Sequence, residues 1–69
     1  MKSKKLNEKR AYLEVLEDTL NFVERMYNNT KDDASYYESG NDTENQYYLY
    51  DVEKLKALEK LYEAIDKLV

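Results

Sequence analysis

Carboxylates recur four residues apart along this chain. Two carboxylates on one helix face are the pattern of a general acid and base, or of ligands for a divalent metal. Glu14 with Asp18 and Glu59 with Glu63 have that spacing. Such chemistry needs further groups. Histidine, the usual general base and zinc ligand, is absent, and so is cysteine. The di-metal helical-bundle pattern requires Glu-x-x-His, which the chain lacks. A calcium loop requires D-x-[DN]-x-[DN]-G, and Asp32 and Asp33 lie too far from Asn41 and Asp42 to supply it. The paired carboxylates therefore read as solvated helix faces. No catalytic residue, metal ligand or cofactor site is expected, and the chain does not read as an enzyme.

Tyrosine is the residue type that stands out. There are eight, and Tyr36, Tyr37, Tyr47, Tyr48 and Tyr50 crowd into one stretch among Asp32, Asp33, Glu38, Asp42, Glu44 and Asp51. Tyrosine offers a rigid, amphipathic contact area and is enriched at binding hot spots. Acids interleaved with aromatic rings can imitate nucleic acid, carboxylates standing for phosphates and rings for bases. Such a surface complements the basic groove of a nucleic-acid enzyme. The competing reading is architectural: tyrosines close the end of a hairpin where leucine would be too exposed.

The elements that must position these residues are helices. Proline is absent, glycine occurs once, and charged residues make up 38% of the chain. In the first half an apolar seam runs Leu13, Leu16, Leu20, Val23, Tyr27, weakens through Thr30 and Ala34, and returns at Tyr37. In the second it runs Tyr48, Asp51, Leu55, Leu58, Tyr62, Ile65, Val69. Both have the 3-4 spacing of a heptad. Between them, Gly40 suits a left-handed C′ position, and Thr43 with Gln46 forms a capping-box pattern. The sequence predicts one domain, an all-α antiparallel two-helix hairpin, with helices from about Ser3 to Ser39 and Glu44 to Leu68 and a turn at 40–43. Folding back about that turn pairs Leu16 with Val69, Leu20 with Ile65, Val23 with Tyr62, Tyr27 with Leu58 and Tyr37 with Tyr48. Asn28 and Asn29 are poor helix formers, and Ser35 with Glu38 is another capping box. The first helix could instead stop near residues 27–29, with a loop or short third helix over 30–40.

A second apolar stripe flanks each seam: Tyr12, Val15, Thr19, Phe22, Met26 on the first helix and Ala57, Leu61, Ala64, Leu68 on the second. A lone hairpin leaves these wet, and ordering each residue costs roughly 1–2 kcal/mol of backbone entropy. A homodimer or tight complex is expected, with Tyr12, Val15, Phe22, Met26, Leu61 and Leu68 at the interface and two hairpins forming a four-helix bundle. In this outline the chain resembles plasmid RNA-binding regulators of the Rop type. The resemblance is one of architecture, with no motif behind it. It implies a nucleic-acid-binding homodimer using the basic segment 1–10.

Charge argues against that role. Residues 1–10 carry net +4, but residues 28–46 carry −4 and the chain as a whole −4, which opposes direct nucleic-acid binding. The basic segment is expected to overhang the second helix, with a frayed start. No apolar run is long enough to cross a membrane, and no apolar segment follows the basic start, so a cytoplasmic location is expected. The sequons at Asn28 and Asn41 then carry no weight. The preferred reading is a small acidic protein-binding module, of the phage or mobile-element type. It would regulate or inhibit a larger, nucleic-acid-handling protein through Tyr36, Tyr37, Glu38, Asp42, Glu44, Tyr47, Tyr50, Asp32 and Asp33. The remaining alternative is a purely structural oligomerisation element.

Overall fold

A computed structural model describes residues 2–69, with side chains from Leu6 onward. Two helices, α1 (Lys2–Ser39) and α2 (Gln46–Asp66), form an antiparallel hairpin 60 Å long and 15 × 13 Å across. The fold is all-α, and the paired faces are the two heptad seams. The Tyr37 and Tyr48 rings meet edge to face with centroids 6.4 Å apart, as the predicted register requires. Val23, Tyr27, Leu58 and Tyr62 line one inter-helix groove, which fixes the same register a few turns further along.

α1 runs without interruption through Asn28 and Asn29. Weak propensity there costs only a few tenths of a kcal/mol per residue, and helical stability in proteins comes mostly from packing of the buried face. Thr30 is 4% exposed and Ala34 3%, so the weak stretch of the seam is among the best buried. Their small side chains let the helices approach closely where a leucine would hold them apart. No short third helix forms over 30–40.

The turn differs in detail from the sequence reading. Asn41, not Gly40, takes the left-handed conformation, at φ 55°. The Asp42 amide donates to the Tyr37 carbonyl at 2.9 Å and the Asn41 amide to the Glu38 carbonyl at 3.1 Å, a Schellman closure of α1. Asn tolerates the left-handed region better than other residues with a side chain, which is why the position one past glycine could take it. α2 starts two residues later than expected, and its N-cap is Asn45. The Asn45 Oδ1 accepts from the Tyr47 amide at 2.8 Å, while its Nδ2 donates to Asp42 at 2.9 Å. The Thr43 capping box is not used.

The core is thin. Leu16, Val23, Ala34, Leu58 and Thr30 are buried, and among the described residues no large side chain falls below 2% exposure. α1 has 38 residues and α2 21, so α1 extends beyond α2 by 17 residues, about 26 Å at 1.5 Å each. Most of that excess is an arm spanning residues 2–15, with Leu6 66% exposed.

Candidate partner-binding surface

The two sides of the hairpin have opposite character. Stepping 100° per residue from Tyr27 and Tyr62 places Glu24 and Glu59 to one side of the seam and Met26 and Leu61 to the other. Side-chain contacts agree. Glu24, Glu59 and Glu63 rim the groove between Val23, Tyr27, Leu58 and Tyr62. On this acidic side the Tyr27 hydroxyl donates to Glu59 at 3.0 Å, and the Tyr48 hydroxyl donates to Glu38 at 3.1 Å. Leu49 is the large apolar residue exposed there.

The other side is apolar and aromatic. Tyr12, Val15 and Phe22 are 55%, 61% and 55% exposed, and Leu61 and Leu68 are exposed too. Met26 and Thr19 are half-buried. The same helical positions continue to Tyr36 on α1 and to Tyr50 and Tyr47 on α2. Tyr36, Tyr47 and Tyr50 thus lie on the same side of the hairpin as the expected oligomer stripe, separated from it by Asn29, Asp33 and Lys54 at the intervening positions. The signal was present in the sequence: Val15, Phe22 and Tyr36 share one heptad position, as do Tyr12 and Met26.

At the turn the tyrosines divide into two groups. Tyr37 and Tyr48 are half-buried between the helices and serve the hairpin itself. The hydrogen bond to Glu38 raises the Tyr48 phenol above its usual pKa, and partial burial and the Glu38 charge add to this. Partial burial raises Tyr37, and the carboxylates of Asp51, Asp33 and Asp42, with Tyr47, push the same way. Tyr27 is raised first by its hydrogen bond to Glu59, then by that carboxylate's charge and by burial. Glu38 is likewise engaged, as the acceptor from Tyr48.

The remaining group faces solvent. Tyr36, Tyr47 and Tyr50 are 77%, 63% and 65% exposed. Asp32, Asp33, Asp42 and Glu44 are exposed beside them. The Tyr36 ring is held by an edge contact with Tyr37 at 5.7 Å, and the backbone beneath Tyr47 by the Asn45 cap. Three large rings and four carboxylates therefore stand exposed on and around the turn, with the Asp42 carboxylate also accepting from Asn45.

Among the described residues no cluster of three or more carboxylates is placed to hold a metal ion, and no helix is long and apolar enough to cross a membrane. The class the geometry defines is a helical hairpin with one acidic flank, one apolar and aromatic flank, and a tyrosine-rich tip. Comparison with known proteins finds no matching family model, no matching curated protein and no matching solved structure.

Proposed function

We propose that the protein is a small binding module that docks its turn end on a basic surface of a larger protein and blocks it. The observation that carries this reading is the exposure of Tyr36, Tyr47 and Tyr50 next to Asp32, Asp33, Asp42 and Glu44 on a turn whose backbone is already fixed. Large exposed rings give a monomer nothing, whereas at an interface they bury area at low entropic cost. The carboxylates around them steer and orient a cationic partner. A surface of this composition fits a groove that otherwise takes nucleic acid, so the natural target class is a nucleic-acid-handling enzyme, with inhibition by occupancy.

The test starts from capture of a partner with the immobilised protein from cells of its own source. Duplex DNA or RNA added at increasing concentration should release the captured partner. Replacing Tyr47 and Tyr50 by alanine should weaken the complex at least about tenfold with helical circular dichroism unchanged, in line with hot-spot truncations. Asp42→Asn with Glu44→Gln should slow association and flatten its salt dependence. Undiminished binding by the tyrosine double variant contradicts the proposal.

A further inference from the structure

The arm and the apolar flank are both unfinished, and three observations say what completes them. The first is area. The chain exposes 5922 Å², whereas a compact monomer of 8.3 kDa exposes about 4,600 Å². The excess exceeds the roughly 800 Å² per partner of a standard interface.

The second is shape. The arm projects past the C-terminus of α2, and the apolar flank carries Met26, Ala57 and Leu61 in the half of the hairpin that has both helices. α2 spans just over half of α1, so a second chain turned end for end has its arm where the first has this flank.

The third is charge. The sequence of residues 1–10, which leads into the arm, carries net +4, and that of residues 28–46, around the turn, carries −4. Lys9 and Arg10 on the arm are exposed, as are Asp32 and Asp33 on the turn half.

From these we infer that two copies associate end for end, each arm lying along the apolar flank of the other's turn half. The two-fold axis crosses α1 near Leu20 and Asn21, the midpoint of that helix, so that the two α1 helices overlap over their full length. Each half of the dimer then holds three helices: α1 and α2 of one copy and the arm of the other. Leu6, Tyr12 and Val15 are withdrawn from water, and the basic segment of each chain runs beside the acidic end of its partner. The alternative two-fold, with both turns at one end, stacks the two acidic ends together and the two basic ends together. It is opposed by charge at both extremities. At the midpoint register Leu6 reaches the level of Ser35 and Tyr50, so the arm and a docked partner share this end of the flank. Mass and label distance report on the dimer alone and partner capture on the proposed function, so failure of one is told apart from failure of the other.

The chain has no cysteine, so Thr43→Cys carries a single spin label at the exposed turn. Sedimentation equilibrium at about 100 μM should give the dimer mass. Pulsed dipolar spectroscopy should place the two labels about 65 Å apart, from the helical rise between residue 43 and the axis. Adding salt should weaken the dimer, because opposite charges are being screened. Phe22→Glu, at an exposed position, should leave a helical monomer. A monomer mass for the unsubstituted chain overturns the proposal. Labels closer than about 25 Å, or a dimer strengthened by moderate salt, overturn the end-for-end polarity. A Phe22→Glu chain that stays dimeric overturns the interface.

Discussion

The turn end and the arm are built from the same seam and have opposite needs. Near the turn, a Schellman closure, an asparagine cap, the Tyr37–Tyr48 contact and the Tyr48–Glu38 bond satisfy backbone and rings within one chain. Along the arm, Leu6 and Leu13 continue the seam with no α2 beside them. Only the turn end is self-sufficient. A heptad records which face of a helix is to be covered, and it does not record whether the covering helix comes from the same chain.

Removing buried volume from the paired half should have the largest effect. Leu58 is 6% exposed and faces Tyr27 across the groove. Leu58→Ala should cost about 2–4 kcal/mol in denaturant melts, the common range for such truncations. Leu6→Ala on the arm should change monomer stability by less than about 0.5 kcal/mol. Equal costs at the two sites would erase the contrast between the ends.

Loss of the α2 cap comes next. Asn45→Ala removes the acceptor for the Tyr47 amide and should cost about 1 kcal/mol. Its effect should appear first as faster amide exchange in the opening turn of α2.

Two changes in the turn should work in the other direction. Asn41→Gly relieves a positive φ and should stabilise by about 0.5–1 kcal/mol. Gly40 does not have positive φ, and a methyl group there would meet only carbonyl oxygens at 3.7 and 3.8 Å. Gly40→Ala should therefore stabilise by about 0.4–1 kcal/mol by restricting the unfolded chain. Thermal melts that show loss at Gly40 would mean that glycine, not Asn41, carries the left-handed step.

Alkaline pH sharpens the comparison further. Tyr27, Tyr37 and Tyr48 are all held above the ordinary value of 10.0. Folding thus favours the protonated phenol. That contribution is whole below about pH 10 and is lost as pH rises through the folded-state values. Melting temperature should fall as pH rises past about 10, and the slope should be shallower for Tyr27→Phe and Tyr48→Phe. Smallest of all, Lys56→Ala breaks the Lys56–Glu53 pair at 3.4 Å between exposed side chains and should cost only a few tenths of a kcal/mol.

Much of the fold was legible in the sequence because the apolar spacing carries it. The seams, the pairing of Tyr37 with Tyr48 and the position of the turn follow from heptads and turn formers. The continuity of α1 through Asn28 and Asn29 did not follow, because local propensity was set against burial of Thr30 and Ala34, which only the partner helix supplies. The cap details were missed because Asn41, Asp42, Thr43 and Asn45 are all suitable turn residues, and side-chain hydrogen bonds choose among them. For the candidate site, residue types pointed to the tip. What sequence order hid was that Tyr37, Tyr48 and Glu38 are used internally, while Tyr36, Tyr47 and Tyr50 lie on the flank that also holds Phe22 and Leu61.

Amide hydrogen exchange read at several protein concentrations tests the contrast between the ends most directly. At low micromolar concentration residues 6–15 should exchange nearly as fast as an isolated helix, with residues 23–37 and 50–62 protected. Raising the concentration a hundredfold should slow exchange in residues 6–15 at least about tenfold, as a second copy covers the arm by mass action. Protection of the arm that is already high when dilute, or that ignores concentration, would contradict the account.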